Sequence, residues 1–151
     1  MTKFEVSTTI NKPVNIVVNA FTNPDNAPHW QTDLEKFEVV SGSPNRAGSI
    51  ARLHYRQNGK PYVMEDKLIY CESGKKYVSE VSGDALAARV ETTLESMKNK
   101  TKITIKWNGK AKILTLKILF PFIRSKMFKQ AQKELNNFKQ LVETKGADFS
   151  N

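Results

Sequence analysis

The chain has 151 residues, 24 Lys+Arg against 15 Asp+Glu, and a formal net charge of +9. An apolar fraction of 39%, with 8 Phe, 4 Tyr and 2 Trp, excludes a disordered chain, and this length can bury one real core. A lone cysteine excludes an internal disulfide framework, and no apolar run is long enough to span a bilayer. We expect one domain over residues 1–151, without a secretion signal, in the cytoplasm.

The positive charge is concentrated in the last third of the chain. Residues 1–97 carry 11 Lys+Arg and 12 Asp+Glu, whereas residues 98–151 carry 13 and 3. Such a basic end can attract phosphates, anionic lipid or nucleic acid, or it can be a solvated helix face that keeps the protein soluble. Both interpretations stay open at this point.

The first thirty residues predict a strand followed by two short helices. Residues 2–10 alternate between apolar and polar positions, which is typical of a half-buried strand. Pro13 suits the first position of a helix, and an apolar stripe with helical spacing follows it as far as Phe21. Asn23-Pro24 ends this helix and can begin a second, short one that runs towards Trp30.

Residues 35–108 read as six strands separated by turns. The predicted strands are residues 36–41, 49–57, 60–71, 75–82, 86–97 and 101–108. Two-residue loops at Asn58-Gly59, Ser73-Gly74 and Asn99-Lys100 predict an antiparallel meander with opposite charges paired on its outer face. The predicted inward pairs are Tyr55–Tyr62, Leu53–Met64, Ala51–Asp66, Tyr70–Tyr77, Leu68–Ser79, Thr92–Trp107, Leu94–Ile105 and Ser96–Ile103.

The last third predicts a long helix. Its apolar stripe consists of Phe120, Ile123, Met127, Ala131, Leu135, Phe138 and Val142. Gly146 follows the stripe and should end the helix. Pro121 either lies in the first turn or kinks a helix that begins near Lys112.

Together these elements predict an α+β fold, in which a curved seven-stranded antiparallel sheet wraps around the long C-terminal helix. The inward residues are mixed rather than purely aliphatic, and an apolar wall with a few polar groups is the composition of a small-molecule site. The alternative is that the tyrosines are ordinary core residues with local hydrogen bonds. The candidate cavity residues are Tyr55, Tyr62, Met64, Asp66, Tyr70, Tyr77, Ser79, Thr92, Trp107, Phe120, Ile123 and Met127.

The order of several motifs resembles the START-like (SRPBCC, helix-grip) superfamily over residues 2–143. These motifs are Ile10-Asn11-Lys12-Pro13-Val14, Asn23-Pro24-Asp25 before His29-Trp30, and Phe37 to Gly42. The segment from Leu119 to Glu143 looks like the polyketide cyclase/dehydrase subgroup. The resemblance implies a hydrophobic cavity between sheet and long helix that binds a lipid, polyketide or quinone-like ligand. It also implies that Trp30 lies near the cavity mouth and that Pro121 marks the bend before the long helix.

Three functions remain possible from the sequence. The first is binding, transport or sensing of a hydrophobic small molecule. The second is a cyclase or dehydratase in which Asp66, a carboxyl placed inside by strand parity, works with cavity tyrosines. The third is a peripheral module that docks a basic helix face on an anionic membrane or, less favoured, on RNA. The lysines of that face are Lys126, Lys129, Lys133 and Lys139.

We expect neither a metal nor a cofactor. Cys71, His29 and His54 are far apart in the sequence, whereas a zinc site needs clustered ligands. The sequence also contains no glycine-rich phosphate-binding loop of the dinucleotide or nucleoside triphosphate type.

Overall fold

The computed structural model describes residues 2–150 and contains seven strands and three α-helices in that part of the chain. β1 is followed by two short helices joined by a single 3₁₀ turn, then by six strands and one long helix, as the sequence predicts. The bounds are β1 Thr2–Ile10, α1 Val14–Thr22, the 3₁₀ turn Pro24–Asn26, α2 Ala27–Trp30, β2 Leu34–Ser41, β3 Ile50–Gln57, β4 Lys60–Glu72, β5 Lys76–Ser82, β6 Leu86–Met97, β7 Lys100–Ala111 and α3 Leu114–Lys145.

All seven strands form one antiparallel sheet in the order β1-β7-β6-β5-β4-β3-β2. The six-stranded meander therefore ends beside β1, where Phe4 pairs with Trp107. α3 lies along this edge strand. The Arg124 side chain donates to the carbonyl of Lys3 at 2.9 Å, and the Gln132 side-chain amide donates to the carbonyl of Ser7 at 3.3 Å. This arrangement confirms the predicted α+β architecture of a sheet wrapped around a long C-terminal helix.

The Asn58-Gly59 turn sets the register of β3 and β4 as predicted. Tyr55 faces Tyr62, Leu53 faces Met64 and Ala51 faces Asp66. Asn58 and Gly59 both have positive φ, 53° and 77°, which is the backbone conformation that a type I′ hairpin requires. Local turn chemistry therefore determines which residues of both strands point inward.

The predicted pairing of Tyr70 with Tyr77 is wrong. The predicted two-residue loop at Ser73-Gly74 also includes Lys75, since Glu72 pairs with Lys76, so Cys71 pairs with Tyr77 and Tyr70 pairs with Val78. A bulge between Leu68 and Tyr70 then restores the predicted register. Because a shift of one residue moves a side chain to the other face, Tyr70 points outward and is 46% exposed. The pair Leu68–Ser79, on the other side of the bulge, is confirmed.

The third hairpin has the predicted faces but not the predicted pairs. Its turn is Lys98-Asn99, with Lys98 at φ 60°, so Thr92 pairs with Ile105 and not with Trp107. The shift in partner is two residues, which keeps every side chain on its expected face. The actual pairs that replace the other two predicted ones are Leu94–Ile103 and Ser96–Thr101.

The segment after α3 is held in the core by a buried asparagine. Asn26 is 1% exposed; its amide donates to the carbonyls of Ala20 and Ala147 at 2.9 and 2.8 Å, and its oxygen accepts from the N–H of Phe149 at 3.0 Å. The Phe149 ring is buried and packs edge-on against Phe138 of α3. Asn26 thus ties the end of α1, the 3₁₀ turn and the C-terminal segment together.

α3 begins at Leu114 and ends before Gly146, whose φ of 76° favours glycine. Pro121 lies inside the helix and not in its first turn, so the helix begins before the proline, close to the predicted start near Lys112. Proline has no N–H, so the Lys117 carbonyl lacks its usual helical partner. Within residues 2–150, no helix is both long and apolar enough to cross a bilayer.

Candidate ligand cavity

A cavity of about 340 Å³ lies on the concave side of the sheet. All seven strands contribute side chains to its wall, the α1–α2 segment contributes Phe21 and Trp30, and α3 contributes Ala131 and Glu134. Most of these side chains are apolar, and the volume falls within the usual range of small-molecule sites, about 300–1,000 Å³. Sheet curvature and the position of α3 therefore leave space that side chains do not fill.

Eight of the candidate cavity residues border this space: Trp30, Tyr55, Met64, Asp66, Tyr77, Ser79, Thr92 and Trp107. Trp30 comes from α2 and the other seven from β3 to β7, so strand parity places these seven on the concave face, although it fails for Tyr70 of β4. Their role in binding a ligand stays a prediction.

Five other candidates lie outside the cavity wall. Tyr62 is 41% exposed and stacks on Tyr55 with ring centroids 4.9 Å apart. Tyr70 points outward because of the shifted register between the turn and the bulge in β4. Phe120 is buried and packs edge-on against Trp107, with ring centroids 6.4 Å apart. Met127 and Ile123 are half-buried on α3 and do not border the cavity. The first part of the stripe on α3 therefore packs near β1, and the helix reaches the cavity further along, at Ala131 of the stripe and at Glu134.

Trp107 is held in place by two neighbours. Its ring stacks on Phe4 of β1, with ring centroids 5.1 Å apart and an angle of 16° between the planes. On the same strand, the indole folds back over Gly109, where a Cβ atom would lie 2.6 Å from Cζ3 and 2.7 Å from Cζ2. The absence of a side chain at Gly109 thus makes room for the ring that closes this side of the cavity.

A cluster of aromatic rings closes the cavity near α1 and α2. The ring centroids of Trp30 and Phe138 lie 5.0 Å apart, and those of Phe21 and Tyr77 lie 5.7 Å apart. The Tyr77 hydroxyl accepts a hydrogen bond from the N–H of Gly74 at 3.1 Å. That tyrosine is therefore partly a structural residue with a local partner, the alternative that the sequence left open.

Asp66 is the carboxyl that strand parity places inside, and it borders the cavity. Burial raises the pKa of Asp66 above its ordinary value, and the nearby Ser79 side chain lowers it in part. A buried carboxyl with a raised pKa keeps its proton to a higher pH than an exposed one, and in that form it can donate a hydrogen bond or act as a general acid. The geometry thus gives this wall of the cavity a polar group with usable proton chemistry.

Glu134 of α3 is a second carboxyl in the cavity wall, and sequence analysis missed it. Its Oε2 accepts from the N–H of Thr32 at 3.0 Å and from the Gln130 amide at 3.3 Å. Burial raises the pKa of Glu134, whereas the bonds from Thr32 and Gln130 lower it in part. A carboxylate in a lysine-rich helix is expected to face solvent, so no pattern in the sequence marks it as inward.

Tyr55 lies close enough to Asp66 and Glu134 for their charges to affect its pKa. Burial raises the pKa of Tyr55, and the charges of Tyr62, Glu134 and Asp66 raise it further. Its hydroxyl therefore stays protonated and can serve as a hydrogen-bond donor. Tyr55, Asp66 and Glu134 form a polar group of residues in a mostly apolar cavity wall.

The four lysines singled out on α3 are arranged away from this cavity. Lys126, Lys129 and Lys133 are exposed and Lys139 is half-buried, and none of the four borders the cavity. They belong to the outer surface of α3.

Solved structures share this fold at low sequence identity. A conserved protein from Geobacillus kaustophilus has a TM-score of 0.79 at 9% identity, with 97% of each chain covered. A protein from Chromobacterium violaceum has a TM-score of 0.74 at 15% identity, covering 94% of this chain and 97% of the other. The di-domain ARO/CYC StfQ of the steffimycin biosynthetic pathway has a TM-score of 0.76 at 13% identity, covering 95% of this chain and 51% of StfQ. These likenesses concern the fold alone.

Family comparison extends the likeness to the sequence. No curated protein matches the chain. The sequence profile of one family, described as polyketide cyclase / dehydrase and lipid transport, matches residues 1–143. This match covers nearly the same residues as the resemblance to START-like proteins noted in the sequence. The chain therefore belongs to the polyketide cyclase / dehydrase and lipid transport family.

Proposed function

We propose that the protein binds a hydrophobic small molecule in the cavity between the sheet and α3, as a carrier or sensor. The observation that supports this most strongly is the cavity itself, with its mostly apolar wall and the three polar groups Tyr55, Asp66 and Glu134. Transfer of an apolar ligand from water into such a space is favourable, and the polar groups can orient it. The family description, which includes lipid transport, is consistent with this proposal.

The polar residues narrow the class of ligand. Carboxyl groups with raised pKa values are poor partners for an anion, because a negative ligand would face their charge whenever they ionise. They suit a ligand that accepts or donates neutral hydrogen bonds. We therefore expect an uncharged, largely apolar molecule with a hydroxyl or carbonyl group at one end.

A fluorescence titration with the uncharged apolar dye N-phenyl-1-naphthylamine tests this proposal. The variant Ala88→Leu adds a branched side chain to the cavity wall, at a residue that is already buried. We expect the variant to weaken dye binding about tenfold or more, since the added atoms occupy the space the dye needs.

Ala87 supplies a matched control. It is the preceding residue of β6, on the opposite face, and does not border the cavity. Ala87→Leu should bind the dye like the wild type. Equal affinity in Ala88→Leu, Ala87→Leu and wild type would contradict binding in the cavity.

Catalysis is a second candidate, and the position of Asp66 favours it. A carboxyl with a raised pKa, bordering a cavity near Tyr55, could move a proton to or from a bound carbonyl compound in a cyclase or dehydratase reaction. We would follow deuterium incorporation from D₂O into a β-diketone probe by NMR. Exchange that is lost in Asp66→Asn, while dye affinity is kept, would support an enzyme. Equal exchange in both proteins would remove Asp66 from the reaction.

A further inference from the structure

The first three turns of α3 carry large apolar side chains that face away from the protein. Leu114 is 71% exposed, Ile118 60% and Phe122 80%. Leu119 and Ile113 beside them are also exposed. Scattered single apolar residues on a surface need no explanation, but a cluster of five within ten residues marks an interaction site.

Helical spacing places the three most exposed side chains in one row. Leu114, Ile118 and Phe122 are four residues apart, and such residues lie above one another on the same face of a helix. The opposite face holds Phe120 against Trp107, so the row cannot turn inward without breaking that contact. We call Leu114, Ile118 and Phe122, together with Leu119 beside them, the apolar row.

The surroundings of the apolar row are strongly basic. Between Glu95 and Glu134 the chain has eleven Lys or Arg residues and no acidic residue. Lys112 precedes the row, and Lys126, Lys129 and Lys133 follow Phe122 as exposed residues of the same helix. An exposed apolar row beside unopposed positive charge matches the interface of an anionic bilayer, which offers both an oily layer and negative headgroups.

We propose that the apolar row docks on an anionic lipid membrane, with α3 lying along the surface and its lysines against the lipid headgroups. Each exposed apolar side chain would enter the boundary of the acyl chains, and each nearby lysine would add headgroup attraction that salt weakens. This surface lies outside the cavity wall, so docking does not depend on the proposed ligand.

The chemistry of the row favours lipid over the other partners. The lysines could bind the phosphates of RNA, and a base could stack on Phe122. The aliphatic side chains of Leu114, Ile118 and Leu119 provide neither stacking nor hydrogen bonds for RNA. A second copy of the chain would bring the same excess of positive charge to the contact, so the two copies would repel each other. An anionic bilayer provides acyl chains for the apolar side chains and negative headgroups for the lysines.

Vesicle sedimentation tests the proposal on the full chain. We expect binding to phosphatidylcholine vesicles that contain phosphatidylserine, weak binding to phosphatidylcholine alone, and a marked loss between about 0.05 M and about 0.5 M salt. The double variant Ile118→Gln with Phe122→Gln should bind at least about tenfold more weakly, because burial of one large apolar side chain is worth about that factor. Val63→Thr, at an exposed residue of β4, should bind like the wild type.

A fluorescent probe gives a second measurement. In Phe122→Trp the new indole should shift its emission to shorter wavelength on anionic vesicles, relative to the wild type with its own Trp30 and Trp107. Val63→Trp should show no such shift. Thermal unfolding of each variant checks that the fold is intact, as expected for substitutions at solvent-exposed residues.

Three results would overturn the proposal. One is the absence of binding to anionic vesicles at low salt. Another is equal vesicle binding by the wild type and the Ile118→Gln, Phe122→Gln variant. The third is a wild-type protein that binds RNA or forms a dimer through the apolar row, as shown by light scattering, but leaves vesicles unbound.

Discussion

The indole of Trp107 occupies the space that a side chain at Gly109 would need. The two residues lie on the same face of β7, and the ring stacks on Phe4 of the neighbouring strand. One missing side chain thus fixes the position of the ring that closes one side of the cavity. A strand interior usually disfavours glycine, so this residue is explained by the close approach of the ring.

Gly109→Ala should displace the Trp107 ring. Because the new methyl group overlaps the ring, the indole must leave its place against Phe4, at a cost of about 1–3 kcal/mol in the free energy of unfolding. Urea unfolding measures this loss, and a change in tryptophan emission reports the new position of the ring. We also expect weaker binding of N-phenyl-1-naphthylamine, because Trp107 borders the cavity.

Gly83→Ala is the matched control for this substitution. Gly83 does not have positive φ, and a Cβ there would meet Met64 at an ordinary distance of 3.4 Å. The control should unfold close to wild type and keep its tryptophan emission. A Gly109→Ala protein with unchanged emission and stability would show that the ring is not held as described.

Asp66 should make stability depend on pH. Folding raises the pKa of this carboxyl, so the folded protein holds its proton more tightly than the unfolded chain does. The free energy of unfolding therefore falls as the pH rises from about 4, the pKa of an unfolded aspartate, through the pKa of the folded state. Asp66→Asn removes this ionisation and should lose less stability over the same range.

Urea unfolding of both proteins at about pH 4.5 and about pH 7.5 measures the effect. Other groups, Glu134 included, titrate in both proteins and largely cancel in the difference. We expect Asp66→Asn to be relatively more stable at the higher pH than at the lower one. Parallel pH profiles would mean that folding does not perturb this carboxyl.

Asn26 should be costly to replace. Asn26→Ala leaves two carbonyls and the N–H of Phe149 without their partner, and we expect a loss of about 3 kcal/mol in the free energy of unfolding. Asn23→Ala is a milder change at the neighbouring half-buried cap, where one hydrogen bond from the N–H of Asp25 is lost. If the two variants lost equal stability, the buried network would not hold the C-terminal segment.

Sequence patterns predict the fold where local chemistry decides it. The Asn58-Gly59 turn sets a register that agrees with the structure residue by residue, because both of its residues adopt positive φ at low cost. The Ser73-Gly74 signal predicts a two-residue loop, but the loop also contains Lys75, which puts Tyr70 on the other face from the predicted one. No glycine or proline in the sequence marks the bulge near Ile69 that compensates for the extra residue. The turn at Lys98 was missed because lysine rarely adopts positive φ.

The residues of the cavity wall are likewise predictable on the strands and unpredictable on α3. Inward residues on strands follow from a period of two, which is why Asp66, Tyr77 and Trp107 were found. Glu134 depends on how α3 rotates against the sheet, a tertiary property that no local pattern encodes. The burial of Phe149 depends likewise on a single distant partner, Asn26.

A crystal structure of the protein with N-phenyl-1-naphthylamine is the most direct test of the central claim. The account predicts dye density in the space between the sheet and α3, against Trp107 and within hydrogen-bonding reach of Tyr55, Asp66 or Glu134. Dye bound on the outer surface, over a cavity filled by repacked side chains, would contradict it.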